Sequence, residues 1–294
     1  FGSQPLSDAQ KRFASDPEMV LEIVDRIRSR YADQPAVTVG VAPHSLRAVS
    51  AETLATLVVG ADSIAKDVPI HIHIAEQRRE VEECIAWSGQ RPVAWLLDAA
   101  DVDQRWCLVH ATHLVDAELQ GIAQTGAIVG LCPTTEANLG DGVFRLKEYA
   151  DTGGRFGIGS DSNASASPVE ELRWLEYGQR LTQFERNVFT NPQAPDTGGA
   201  LWRAAAAGGA QALAQPSGAL EIGRRADLVV LDQDAINLVG RSGDQVLNAM
   251  IFAGNANIVR DVWVAGRRIV TDGQHPWEAE TRRRFLAVMG RLLD

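Results

Sequence analysis

The chain has 294 residues, 45% of them hydrophobic, and a formal net charge of −10 with no basic run. That is ample to bury a core in one large domain, or in one large and one small, and it disfavours nonspecific binding to nucleic acid or an anionic membrane, which needs a positive patch. The three cysteines, Cys84, Cys107 and Cys132, are odd in number and far apart, so neither a disulfide framework nor a thiolate zinc site is expected, a reducing cytoplasm fits best, and no stretch approaches a membrane span.

Phe1-Gly2-Ser3-Gln4-Pro5 reads as a loop without an initiator Met and without the basic and apolar regions of a signal peptide. The chain is therefore expected to begin partway through a longer protein. Asp16-Pro17 is a cap followed by a first-turn proline, and Val20, Val24, Ile27 and Tyr31 then recur at helical spacing. Residues 36–42 (AVTVGVA) read as a buried strand, and Ser50 caps a helix to about residue 66. Residues 69–75 (PIHIHIA) are the next strand and 79–87 the next helix. Residues 106–110 (WCLVH) are a strand, followed by a helix near 115–124. Strands follow at 127–131 (AIVGL) and 156–159 (FGIG). Ser167-Pro168 opens a long helix to about residue 186, and an alanine-rich helix covers 199–213.

Five strand-then-helix units in a row predict an α/β fold with a parallel sheet. Each strand ends in polar chemistry: His44 and Arg47, then His73 and Glu76, then His110, then Thr134 to Asn138, then Asp161. Residues gathered from many strand ends suit the C-terminal face of a TIM-type (β/α)8 barrel, whereas a doubly wound sheet concentrates them at one switch point. The expectation is a barrel with strands 4–8 in this chain and three before Phe1. From Pro216 the texture changes. Short strands are expected at 228–231, 246–252, 258–264 and 267–271, with Ala265-Gly266 as a tight hairpin turn. The predicted division is a partial barrel at 1–215, a small β domain at 216–275 and an amphipathic helix at 276–294.

His71-x-His73-x-x-Glu76 is the sharpest local signal. Residues two apart on a strand share a face, so both histidines could reach one metal; a single ligand, His73, with Glu76 beside it, is preferred. Neutral imidazole suits zinc, and a nearby carboxylate can move protons. A satisfied core histidine is the bland alternative. His110 and Asp161 at the ends of later strands tip His73 towards a site, and His71 keeps the bland reading. In His110-Ala111-Thr112-His113 the first histidine sits at the strand end, while His113 is expected to face solvent or cap the next helix. In Gly159-Ser160-Asp161-Ser162 turn or helix capping accounts for the serines, whereas Asp161 can ligate a metal and accept a proton from water. Arg47 either forks a substrate carboxylate with paired hydrogen bonds or is a surface arginine capping a helix end. Cys132-Pro133 lacks the second cysteine of the thiolate zinc deaminases. No G-x-S-x-G elbow, Walker loop or G-x-G-x-x-G is present.

The order of strand-end groups, His73 with Glu76, then His110, then Asp161, resembles that of the amidohydrolase superfamily. Residues 218–223 (GALEIG) through 226–231 (ADLVVL) resemble its small β-sandwich domain. Three stretches are similar to the formimidoylglutamate deiminases within it: VAPHSLRAV at 41–49, CPTTEANLGDG at 132–142 and SPVEELRWLEYGQRL at 167–181. The resemblance implies one zinc ion with His73 and Asp161 as ligands, Glu76 as proton shuttle, His110 as the partner that polarises water, and His44 and Arg47 in substrate contact. It also implies that the family's own His-x-His ligand pair, on the first barrel strand, lies upstream of Phe1. The implied reaction is hydrolysis of the C=N bond of N-formimino-L-glutamate, giving N-formyl-L-glutamate and ammonia in histidine degradation. The nearest alternative is a deaminase or chlorohydrolase of the same superfamily acting on a nucleobase or triazine-like ring. A ring pocket would want stacking aromatics, which are only 6% of this chain. A non-catalytic relative that binds metal or ligand is the alternative from another class; it would need no Glu76. The expected partners are a small anionic substrate and a second copy in a homodimer.

Overall fold

The computed structural model describes residues 1–2, 5–162 and 165–293. Ser3 and Gln4 of the opening loop and Asp294 of the closing helix lie outside the described residues. The chain opens with α1 (Asp8–Lys11), α2 (Pro17–Arg30) and α3 (Ala51–Ile64). The two longer helices start where their caps predict. The Asp16 carboxylate accepts the Met19 N–H at 2.7 Å, and the Ser50 hydroxyl accepts that of Thr53 at 3.0 Å.

Residues 36–42 do not form the expected strand. The segment touches the sheet at two isolated bridges, Val41 with Ile70 and Ser45 with His73. Four residues on one side thus match three on the other, and between them stands Pro43, which has no N–H to give. The segment still runs parallel to its neighbour, and that carries His44 and Arg47 to the same end as the other strand-end residues.

The regular sheet has four parallel strands in sequential order, β1 (Ile70–Ile74), β2 (Trp106–His110), β3 (Ile128–Leu131) and β4 (Arg155–Ile158). Parallel neighbours need crossovers. Here these are α4 (Arg78–Ser88) with α5 (Pro92–Ala99), then α6 (Asp116–Thr125), then α7 (Pro133–Leu139) with α8 (Leu146–Asp151). After β4 come α9 (Pro168–Gln183) and α10 (Thr197–Ala212). This βα repeat is that of a TIM-type α/β fold. One face of β1, formed by Ile70, Ile72 and Ile74, is fully buried with Leu54, Ala61, Leu96 and Trp106. The alternate residues, His71 and His73, face the other side, as a period of two requires. Gly208 lets α10 lie directly on β4: a Cβ there would collide with the Phe156 carbonyl.

The remaining elements are β5 (Leu228–Leu231), α11 (Asp244–Phe252), β6 (Val259–Val264), β7 (Arg267–Val270) and α12 (Glu278–Leu293). The strands form one antiparallel sheet in the order β5-β6-β7. Among the described residues the predicted small β domain contributes this one three-stranded sheet. Ala265 and Gly266 form the predicted hairpin turn, both at positive φ. The expected strand at 246–252 is instead the body of α11. A short apolar run does not by itself distinguish strand from helix, and tertiary contacts decide it here. Asn248 accepts the Gly198 N–H at 2.7 Å, Asp244 takes a two-pronged grip from Arg203, and Ala249, Met250 and Ile251 are buried. No helix among the described residues is long and apolar enough to cross a membrane.

Candidate active site

Parallel strands in sequential order bring all their C-terminal ends to one edge, and the backbone there is unusual. Ala75, His110, Ala111 and Asp161 have φ of 49°, 68°, 48° and 49°. Left-handed non-glycine residues cost of order 1–3 kcal/mol each and persist only where their surroundings over-determine them. The carboxylate of Glu80, fully buried, accepts the N–H groups of Ala75 at 3.0 Å and Glu76 at 2.9 Å. The Ala111 N–H donates to the Ile74 carbonyl and the His113 N–H to that of Ala75, each at 3.0 Å. The bends after β1 and β2 therefore brace each other.

His110 is the centre of the resulting cluster, its side chain 1% exposed. Nδ1 lies 3.2 Å from Glu136 Oε1. On the other side of the ring, Nε2 is 3.7 Å from Glu76 Oε1 and 3.9 Å from Asp161 Oδ2, and among the described residues it has no hydrogen-bond partner. Burial pulls the pKa of His110 down, but the Glu136 hydrogen bond and the charges of Glu136, Glu76 and Asp161 outweigh it and hold the imidazole above its ordinary value. Glu76 accepts a hydrogen bond from Arg47 Nη2 at 3.0 Å, and the same nitrogen is 3.8 Å from Glu80. The ring of His73 stacks on that of His110 at 5.6 Å between centroids, and His44 lies against His73 at 5.1 Å. The pKa of His44 is lowered by burial, then by the neighbouring His73 and Arg47.

The donor set is of the kind zinc takes, imidazole nitrogen and carboxylate oxygen. His73 Nδ1–H donates to the His44 carbonyl at 2.8 Å, which leaves Nε2 with a lone pair, the arrangement that orients a metal-ligating histidine. Asp161 stands across the cluster beside His110. The residues thus fit a metal, as part of a ligand set. Among the described residues no three histidine, cysteine, aspartate or glutamate groups converge closely enough to hold an ion alone.

All six predicted site residues, His44, Arg47, His73, Glu76, His110 and Asp161, come together. His71 does not join them: its Nε2–H donates to the Ala212 carbonyl at 2.8 Å, the satisfied core histidine of the bland reading. His113 neither faces open solvent nor caps a helix; its Nε2–H donates to the Asp141 carbonyl at 2.8 Å and ties the loop after α7 to β2. Arg47 is no helix cap, being held by Glu76 and Glu80. The serine that caps α9 is Ser167, which accepts the Glu170 N–H at 3.3 Å. Of the buried carboxylates near this cluster, Glu80 and Asp141 were given no role from sequence, and Glu136 entered only within the strand-end run Thr134 to Asn138. The usable signal for Glu136 was its position four residues beyond the strand-ending Cys132.

The model of the amidohydrolase family matches residues 6–269. A formimidoylglutamate deiminase of Pseudomonas aeruginosa is 51% identical over 294 residues, covering 100% of this chain and 64% of the relative. The crystal structure of an amidohydrolase from Brucella melitensis superposes with a TM-score of 0.92 at 46% identity, over 100% of this chain and 64% of that one. An adenosine deaminase from Xanthomonas campestris, solved with bound zinc, gives a TM-score of 0.81 at 26% identity over 92% and 60% of the two chains. The chain spans 64% of the length of the first two. With a family match over most of its length and a relative 51% identical along all of it, the chain belongs to the amidohydrolase family.

Proposed function

We propose that this protein hydrolyses N-formimino-L-glutamate to N-formyl-L-glutamate and ammonia, in a metal-dependent step of histidine degradation. The observation that carries the reading is His110 Nε2, buried between the carboxylates of Glu76 and Asp161 and, among the described residues, without a hydrogen-bond partner. It has the form of a site prepared for water and proton transfer. The 51% identity to a formimidoylglutamate deiminase supports the substrate. On the barrel reading, the bridged segment 41–45 and strands β1–β4 are strands 4–8 of a (β/α)8 barrel, and the site lies at its mouth.

His73 and Asp161 are the ligands this chain would give to one zinc ion. Bound zinc lowers the pKa of water towards about 7 and so supplies hydroxide at neutral pH. Asp161 and His110 orient the attacking water and take up its proton. Glu76 relays the protons of that water to the departing nitrogen, so that ammonia rather than an amide anion leaves. Arg47 grips a carboxylate of the glutamyl part and sets the formimino carbon in place. A guanidinium has five donors, so the bond from Nη2 to Glu76 is compatible with that grip. His44 lines the same side through its contact with His73. A cytoplasmic location accords with three cysteines that are free and buried.

The test is ammonia release by the protein expressed from its complete coding region. N-Formimino-L-glutamate should be turned over far faster than adenosine, 5-methylthioadenosine or a chlorotriazine. Faster turnover of a ring substrate, or no turnover of any, would sink the proposal.

A further inference from the structure

Glu136 is 3% exposed, and its Oε1 accepts two hydrogen bonds, from the Cys132 N–H at 2.9 Å and from His110 Nδ1 at 3.2 Å. The segment that carries it is itself braced. The Glu136 N–H donates to the Cys132 carbonyl at 2.9 Å, and the Glu171 carboxylate accepts both the N–H and the hydroxyl of Thr134, at 2.9 and 2.5 Å. Glu136 is thus a fixed acceptor rather than a side chain free to follow the ring.

An ionised carboxylate can only accept. The ring nitrogen that faces it therefore carries hydrogen whether the imidazole is neutral or charged. With Nδ1 held this way, Nε2 is the nitrogen that faces Glu76 and Asp161, and among the described residues it has no hydrogen-bond partner. We infer that Glu136 is the positioning residue of this site: it fixes the ring plane of His110 and its Nδ1–H tautomer, so that Nε2 alone works towards Glu76 and Asp161. Glu136 meets Nδ1, whereas those carboxylates face Nε2, so it acts through the ring. The inference deepens the proposed reaction and rests on His110 being the residue that orients the attacking water. A plainly structural role, satisfying the Cys132 N–H, is the competing account.

The experiment combines nitrogen-15 NMR of histidine-labelled protein with steady-state kinetics, the His110 signals being identified by their loss in H110N. In the wild type, Nδ1 of His110 should be protonated. Glu136→Gln keeps an oxygen that can accept both hydrogen bonds, so Nδ1–H should persist. Glu136→Leu removes the acceptor; the tautomer should then no longer be fixed, and kcat should fall by about 10–100-fold, the usual cost of losing such an orienting partner, with KM and bound metal unchanged. E136Q should lose less kcat than E136L. A wild-type His110 with bare Nδ1 and hydrogen on Nε2 would overturn the inference, even if E136L failed to fold. So would an E136L protein with wild-type kcat, or one that lost metal and KM along with kcat. A wild type that released no ammonia would overturn the substrate alone, because the wild-type spectrum would still decide the tautomer.

Discussion

Arg47 donates from Nη2 to Glu76 at 3.0 Å, and the same nitrogen lies 3.8 Å from the fully buried Glu80, whose carboxylate holds the N–H of Glu76. Side chain and backbone of Glu76 are therefore gripped from two directions. This fits a group whose position matters more than its freedom. It also joins the segment that follows Val41 to the end of β1, although the two share only isolated bridges.

Replacing Glu76 by Gln keeps its shape and the bond from Arg47 but removes its ability to carry a proton. Turnover should fall by at least ~10²–10⁴-fold, the usual worth of general acid–base catalysis. Bound metal should be unchanged, since Glu76 is not among the proposed ligands. Ammonia release and elemental analysis of the same preparation check both halves. A near-normal kcat would remove Glu76 from the mechanism.

The metal is tested directly. Protein from the complete coding region should hold about one transition metal per chain, since such sites combine three or more protein ligands with an open position. His73→Ala and Asp161→Ala should each lower that content, and a chelator should abolish activity in a way that added zinc restores. Active protein without metal would defeat the assignment.

That the six candidate residues would cluster was legible because a parallel βα repeat sends every strand end to one edge. Type and position were then enough to pick out His73, His110 and Asp161. Where the reading failed, the causes differed. Residues 36–42 form no ladder, and Pro43, between the two bridges of that segment, has no N–H to give. The apolar run at 246–252 became α11 because α10 offers Gly198 and Arg203 as partners. Glu80 and Glu136 each sit in the first turn of a helix, where acidic residues are ordinary complements to the helix dipole. That both are buried, and that one faces His110, comes only from packing.

Glu171 gives a pH-dependent prediction. Burial raises its pKa, against the opposing effect of the hydrogen bonds from Thr134. A carboxyl group whose folded pKa lies above the unfolded one stabilises the fold fully below the unfolded value, and that contribution is lost as pH rises through the folded value. Glu171→Gln removes the titration while keeping groups that can bond Thr134. The urea midpoint of the variant, relative to wild type, should therefore rise as pH increases above the ordinary carboxylate range. A difference that stayed flat as pH rose would mean that Glu171 titrates alike in the folded and unfolded chain.

Arg47 has two duties to separate, holding Glu76 and gripping a substrate carboxylate. Arg47→Met keeps much of the aliphatic stem and removes the fork. Truncating one partner of a buried charge pair costs roughly 2–5 kcal/mol, about 30-fold to several thousand-fold in kcat/KM. Part of that loss comes from Glu76, which loses its only charge-assisted donor among the described residues, and this part should fall on any substrate. The part due to the carboxylate grip should fall only on N-formimino-L-glutamate and be absent for a neutral formimino compound. The expected result is therefore a loss on both, clearly larger on the anionic substrate. Equal losses would make Arg47 a positioning residue for Glu76 alone, and the carboxylates would then be held by other groups. No loss on either substrate would remove both duties, and with them the assignment of the segment around His44 to the pocket.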